Sequence, residues 1–142
     1  MQSTAIFQPL LAMVLLTLIV WVAMLLRRAT RMRQAGLRPQ DMPTRAVADE
    51  KFGDAQLPNN NLMNLFELPV LFYVACVLIY TLVRVDTLYM SLAWAFVFLR
   101  TGQSMVAITY NSVLHRGTFY LLSCAVLWAI WARIAWQLLA EG

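Results

Sequence analysis

Four long apolar segments constrain this chain more than any other feature of its sequence. They are residues 6–26, 62–83, 88–108 and 118–139. The first has no charged residue, and the others have one each: Glu67, Arg100 and Arg133. A helix rises about 1.5 Å per residue, so about 20 apolar residues cross a hydrocarbon core of about 30 Å. Each segment fits one crossing, which predicts an all-α integral membrane four-helix bundle with a single domain, residues 1–142.

Composition supports this class and excludes others. Hydrophobic residues make up 61% of the 142, whereas soluble domains have roughly 45–50%. The first segment lacks a basic flank before it, and arginines follow it, so we expect a retained helix rather than a cleaved signal. Cys76 and Cys124 fall inside predicted spans and are expected to be small core residues. The single histidine, His115, leaves no multi-histidine metal site, and we predict no metal.

The segment between the first two spans, residues 27–58, indicates the topology. It contains seven of the eleven basic residues. Because short cytoplasmic loops are enriched in Lys and Arg, this loop is predicted to be cytoplasmic, with both termini on the opposite side of the cell membrane. The net charge of +4 is explained by this loop and by anionic lipid, so no nucleic-acid partner is expected. The first helix is predicted to continue through Arg33 and to break at Gly36.

Polar residues enter the second and third spans. Asn60, Asn64 and Glu67 share one helix face by their i, i+4, i+7 spacing, and asparagines 59–61 are expected to cap the second span. Glu67 lies about 12 Å and Arg100 about 16 Å from the cytoplasmic ends of their helices, by the rise per residue. Since an unpaired ion at such depth costs at least about 2.5–3.5 kcal/mol, we predict a Glu67–Arg100 ion pair.

Two interpretations of these polar residues remain open at this point. They either join helices to one another, each contact contributing about 0.6–2 kcal/mol, or they form the wall of a polar pocket. Gln103 and Ser104 lie one turn from Arg100, toward the cytoplasm. Tyr110, Asn111, Arg116 and Tyr120 follow at the junction of the third and fourth spans. Arg133 lies near the far end of the fourth span, where its side chain is expected to extend toward the membrane surface.

These motifs resemble those of the MAPEG family, the membrane-associated proteins in eicosanoid and glutathione metabolism. The resemblance rests on four spans in about 140 residues, a basic first loop and three motifs. They are FELPVLFY in the second span, FLRTGQS at 98–104 and LHRGTFY at 114–120. The first of these looks like the uncharacterised bacterial branch of the family. Members are homotrimers of four-helix subunits, so the resemblance implies a homotrimer.

The resemblance also implies a site for glutathione at the cytoplasmic side. Asn64 and Glu67 match the second-span contacts to the peptide, and Arg100 matches the arginine of the third span. Arg116 and Tyr120 match the fourth-span pair, which we assign as catalytic. Gln103 and Ser104 complete the set that would bind glutathione.

Two functions of different class follow from the resemblance. The first is a glutathione-dependent transferase or peroxidase that acts on lipophilic electrophiles entering from the bilayer. The alternative is a non-catalytic lipid-binding protein, or an accessory subunit of a larger membrane complex with a partner membrane protein. Met63 and Ala107 stand where glutathione-using members often have polar ligands, which favours the alternative.

Overall fold

The protein is built from helices. The computed structural model describes residues 4–36, 38, 40, 47, 50, 57–110 and 112–141, with the backbone alone for 57–65 and 141. Within the described ranges, one turn of 3-10 helix is followed by four long helices: α1 (Phe7–Ala35), α2 (Leu57–Thr81), α3 (Thr87–Ile108) and α4 (Val113–Glu141). No strand occurs among the described residues. The predicted all-α, four-helix architecture is confirmed.

Three helical segments are long and apolar enough to cross a membrane: Thr4–Ala35, Thr87–Ile108 and Val113–Ala140. In α2 the apolar segment with described side chains, Phe66–Thr81, is shorter. Large apolar side chains cover the outside of the bundle, among them Leu26, Phe66, Phe98 and Trp136. An apolar exterior of this extent is unfavourable in water and suits a lipid environment.

Helix ends follow local sequence rules. α1 ends where Gly36 takes a left-handed conformation, with φ of 62°, and its N–H donates to the carbonyl of Met32. This confirms the predicted break at Gly36. α2 begins at Leu57, so the prediction that asparagines 59–61 cap it was wrong. Pro58 explains the difference, because a proline is tolerated in the first turn of a helix, where its missing N–H would have no partner.

The end of α2 uses an unusual residue. Val83 has φ of +56°, a conformation that L-residues with branched side chains rarely adopt. Its N–H donates to Tyr80 O at 3.0 Å, and the N–H of Arg84 donates to Ile79 O at 2.9 Å. These two bonds form a Schellman motif, whose left-handed position is normally glycine. The chain then reverses into α3, where the Asp86 side chain caps the helix by accepting from the backbone N–H of Tyr89 at 2.8 Å.

The helices enclose one apolar core. Met13 and Val20 of α1 are fully buried, and their seven-residue spacing places them on one face of the helix. Phe72 of α2 stacks on Phe96 of α3, with ring centroids 4.6 Å apart. α3 and α4 make the most extensive contact in the bundle. Side chains that lie between α3 and α4 are therefore held in place by the largest helix–helix contact of the bundle.

The two ends of the bundle are chemically different. At one end, called the loop end here, α1 and α3 finish and α4 starts; Arg27 of α1 donates from Nη2 to the carbonyl of Ile108 at 3.0 Å. At the other end, called the Asp86 end, the α2–α3 turn meets the last turns of α4. The bundle thus has one end rich in arginine and one where an aspartate caps a helix.

Candidate functional site

A cleft opens at the loop end, between the last turns of α3 and the first turns of α4. Its volume is about 270 Å³, and it is lined by Gln103, Val113, Arg116, Gly117 and Tyr120. Arg116 and Tyr120 are four residues apart on α4, so they lie on the same face of the helix. The structure therefore brings together three of the residues predicted for the site: Gln103, Arg116 and Tyr120.

Arg100 lies behind this cleft. Its side chain is only 1% exposed, and Nη1 donates to Oε1 of Gln103 at 2.7 Å. The guanidinium carbon lies 5.3 Å from the ring centroid of Tyr120 and 5.5 Å from that of Phe96. Both distances are within the range of a cation–π interaction. Two cleft residues therefore hold Arg100: Gln103 through a hydrogen bond and Tyr120 through a cation–π contact with its ring.

The guanidinium of Arg100 has unused hydrogen-bonding capacity. Its Nε and Nη2 have no hydrogen-bond partner among the residues that the structure describes. A buried donor left unpaired typically costs about 1–3 kcal/mol, and more when it is charged. Such a group favours the arrival of an anion or another acceptor, because the ligand would supply the missing bonds.

The predicted Glu67–Arg100 ion pair was wrong. Glu67 is exposed, and the described part of the chain has no ion pair between these two residues. The prediction used depth along each helix, and depth does not determine which way a side chain faces. The buried face of α2 runs through Phe72, Ala75 and Ile79, and Glu67 is rotated away from it.

The other predicted binding residues take different places. Ser104 is 3% exposed and is not among the residues that line the cleft. Asn64 falls on the backbone of α2, but its side chain lies outside the described residues, as does that of Asn60. Their roles stay predictions from the resemblance.

One residue near the site was missed from the sequence. Cys124 is a free thiol, partly exposed rather than buried in the core as expected. It lies one turn beyond Tyr120 on the same face of α4. The regular four-residue spacing of Arg116, Tyr120 and Cys124 was the signal that could have revealed it.

A second polar contact joins the residue pair on either side of the α3–α4 turn. The Tyr110 hydroxyl and Nδ1 of His115 are 3.1 Å apart, and the two rings meet edge to face with centroids 5.8 Å apart. Both residues are exposed. Within the described residues no group of three or more metal-ligating side chains occurs.

The Asp86 end holds a separate polar cluster. Arg133 donates to both carboxylate oxygens of Asp86, from Nη1 at 2.9 Å and also from Nη2. Its guanidinium lies over the ring of Tyr89 at 4.1 Å, and the Tyr89 hydroxyl donates to Oε1 of Gln137 at 2.8 Å. The hydrogen bond from Arg133, and secondarily the backbone N–H of Tyr89, lower the pKa of the Asp86 carboxyl. Arg133 thus ties α4 to the start of α3; the extension of its side chain toward the membrane surface stays a prediction.

Fold and site together define a class: a membrane bundle of four helices with a buried, partly unpaired arginine behind a polar cleft. The chain belongs to the MAPEG family, whose sequence model matches residues 6–136. The resemblance inferred from the motifs is therefore confirmed over nearly the whole chain. Comparison with curated proteins gives no significant match, and comparison with solved structures gives none either.

Proposed function

We propose that this protein is a glutathione-dependent transferase that acts on lipophilic electrophiles delivered from the bilayer. The observation that carries the proposal is the buried guanidinium of Arg100, with two nitrogens unpartnered among the described residues and one bonded to the cleft residue Gln103. A peptide with two carboxylates is the kind of ligand that such a positive site favours.

The residues around the cleft fit the chemistry of a thiol peptide. Arg116 in the cleft wall and Arg100 behind it both favour anionic groups, and the Tyr120 hydroxyl adds a hydrogen-bond donor. Guanidinium groups near a thiol favour the thiolate, which is the reactive form. The thiolate would attack the electrophilic carbon of an aryl halide, form a carbon–sulfur bond and release halide. With a lipid hydroperoxide, two glutathione molecules would instead give the disulfide, an alcohol and water.

The size of the cleft bears on the assembly. Its volume of about 270 Å³ is slightly below the roughly 300–1,000 Å³ typical of small-molecule sites. It holds part of a tripeptide rather than the whole. A homotrimer would complete the site from a neighbouring subunit, and we include that assembly in the proposal. Native mass spectrometry in detergent measures it directly, and a stable monomer with full glutathione affinity would rule out the shared site.

The test of the enzyme is glutathione consumption with chlorodinitrobenzene or a lipid hydroperoxide, using the purified protein in detergent. We expect Arg116→Ala to abolish turnover while the protein keeps its helical circular dichroism and its melting temperature. Arg31→Ala, a charge loss at an exposed position of α1, is the matched control and should retain activity. Absence of both binding and turnover at millimolar glutathione would rule out the enzyme.

A second candidate function, lipid binding or an accessory role, is supported by an apolar groove on the bundle. Between α1 and α2 lies a groove of about 410 Å³, lined by Val14, Thr17, Leu18, Trp21, Phe66 and Tyr73. Its walls are almost entirely apolar, which suits an acyl chain or a partner helix. We propose lipid binding or an accessory role as the alternative. Lipid or a partner protein that purifies with the chain in stoichiometric amount would support it, whereas bound glutathione would count against it.

The orientation in the membrane is part of the proposal. We place the loop end in the cytoplasm and both termini on the opposite side, because four arginines cluster in the last turns of α1: Arg27, Arg28, Arg31 and Arg33. Single cysteines introduced at position 31 and at position 87, in a variant with Cys76 and Cys124 replaced, can be labelled with an impermeant maleimide on intact cells. We expect labelling at 87 only, and the reverse pattern would invert the topology.

A further inference from the structure

The apolar groove between α1 and α2 continues toward the arginine-rich end of α1. Its α1 wall includes Val14 and Trp21, which are seven residues apart and share one face of the helix. Leu25 and Arg28 extend the same face, because they follow Trp21 by four and by seven residues. Trp21 is 46% exposed and Leu25 is 42% exposed. An exposed apolar strip therefore joins the groove to Arg28.

The positions of these residues along α1 match the depth profile of one lipid molecule. Arg28 follows closely on the apolar segment 6–26, at the level where lipid headgroups lie. Trp21 and Val14 lie about 8 Å and about 18 Å before the end of that segment, by the rise per residue. One leaflet of the hydrocarbon core is about 15 Å thick, so the groove lies mostly within the leaflet on the arginine side. A lipid with its phosphate at Arg28 therefore extends an acyl chain along the groove.

The charge at this end of α1 selects the headgroup. α1 contains no acidic residue and four arginines, Arg27, Arg28, Arg31 and Arg33. Glu67 follows the groove residue Phe66 on α2, and the arginines outnumber it. A guanidinium can bind two phosphate oxygens at once. Because arginine clusters directly after a membrane helix attract anionic lipid, a negatively charged phospholipid is favoured over a zwitterionic one.

We propose that the α1–α2 groove and Arg28 together form a binding site for one anionic phospholipid, with an acyl chain in the groove and the phosphate at Arg28. The inference rests on the lipid-binding alternative proposed above and adds the headgroup to it. It does not depend on the glutathione activity, because the polar cleft lies between α3 and α4.

The experiment measures lipid binding to the full chain in dodecyl maltoside micelles by native mass spectrometry, in about 0.15 M ammonium acetate. The two probes are phosphatidylglycerol and phosphatidylcholine with the same acyl chains. We expect one phosphatidylglycerol per chain, bound at least about fivefold more tightly than phosphatidylcholine, the ratio that one basic side chain near an anionic lipid contributes. Equal binding of both lipids would overturn the inference and leave the lipid-binding function standing, whereas binding of neither would overturn both.

Variants at two arginines separate the site from the general charge of the helix. Arg28→Gln should weaken phosphatidylglycerol binding about fivefold and leave phosphatidylcholine binding unchanged. Arg28→Lys, which keeps the charge, should retain most of the preference. Arg33→Gln is the matched control, because it removes the same charge from an exposed position on a different face of α1. Equal losses in Arg28→Gln and Arg33→Gln would overturn the site at Arg28.

A substitution in the groove tests the place of the acyl chain. Leu18→Trp adds bulk at a groove residue and should weaken the binding of both lipids, with circular dichroism to check the helical fold. Ile19→Trp is the control, because Ile19 is similarly exposed, at 55% against 50% for Leu18, but is not among the residues that line the groove. A folded Leu18→Trp variant that binds both lipids like the wild type would overturn the proposal. A second copy of the chain bound to the groove in place of lipid would overturn it as well.

Discussion

Gly102 of α3 faces the ring of Phe119 on α4 at a distance that leaves no room for a side chain. A Cβ at position 102 would lie 2.8 Å from Cε1 of Phe119 and 3.1 Å from Cζ. The two most closely packed helices of the bundle therefore meet where one of them has no side chain, as small residues allow in membrane bundles.

The first prediction follows from that contact. Gly102→Ala should lower the melting temperature in detergent, because overpacking typically costs about 1–3 kcal/mol. That cost exceeds the roughly 1 kcal/mol that alanine gains over glycine in a helix. In a Phe119→Ala background the same substitution should raise the melting temperature. Gly117→Ala is the control, since no atom lies within 4 Å of its added Cβ. A higher melting temperature for Gly102→Ala in the wild-type background would contradict the close contact.

The second prediction concerns the left-handed residue that ends α2. Val83→Gly should raise the stability, because the left-handed conformation costs an L-residue about 1–2 kcal/mol. The greater freedom of glycine in the unfolded chain offsets part of that gain. Thermal unfolding in detergent measures it, with Val83→Ile as the control that keeps the branched side chain and should show no gain. A melting temperature for Val83→Gly below that of the wild type would contradict a strained conformation at this position.

The third prediction is a pH dependence at the Asp86 end. The pKa of Asp86 is lowered in the folded protein, chiefly by the hydrogen bond from Arg133. A lowered carboxyl pKa contributes stability that is fully present above the unfolded value of about 3.9 and is lost as the pH falls through the folded value. Asp86→Asn keeps a good helix cap but removes the charge. We expect it to lower the melting temperature modestly at pH 7, since the Asp86 side chain is 43% exposed.

The pH series supplies the check on that prediction. The difference between wild type and Asp86→Asn should be constant above about pH 5 and should shrink as the pH falls below about 4, given the reference carboxyl value. A difference that stays the same across this range would show that the lost stability does not come from the charge of Asp86. Arg133→Lys should produce a similar but smaller effect, because lysine cannot form the two-pronged contact.

The fourth prediction tests the electrostatics of Arg100. Replacing it with methionine should leave the unliganded protein at least as stable, because a buried charge with unpaired donors is exchanged for an apolar side chain of similar length. Glu67→Gln should have little effect, since Glu67 is exposed. In the double mutant the two changes should add to within about 0.3–0.5 kcal/mol, as for independent sites. A coupling of several kcal/mol between the two substitutions would show that Glu67 and Arg100 interact, and it would contradict the prediction.

The sequence predicted the positions of the helices well, but it predicted the side-chain contacts between helices poorly. Hydropathy is a property of neighbouring residues, so the start of α3 and the break at Gly36 followed from local rules. Which side chain faces which depends on the rotation of each helix about its axis, and one charge among twenty apolar residues does not determine it. Glu67 and Arg100 were predicted to lie at matching depths, and they still do not pair. Asp86 and Arg133, 47 residues apart in the chain, were both visible in the sequence, but the contact between them was not predicted.

The candidate site was predictable where its residues lie on one helix. The four-residue spacing of Arg116 and Tyr120 predicted that they share one face of α4. The same spacing, continued by one turn, would have included Cys124. The contact between Arg100 and Gln103 also lies within one helix, three residues apart. What the sequence did not provide was the burial of Arg100, because that depends on Phe96 and Tyr120 closing over it from two helices.

The bond from Arg27 to the carbonyl of Ile108 has a mechanical consequence. It joins the part of α1 that extends beyond the apolar segment to the last turn of α3, the helix that carries the cleft residue Gln103. A hydrogen bond of this kind typically contributes about 0.5–1.5 kcal/mol. A lipid headgroup or a protein that binds Arg27 competes for this bond, so occupancy of the arginine-rich end of α1 is coupled to the contact between α1 and α3.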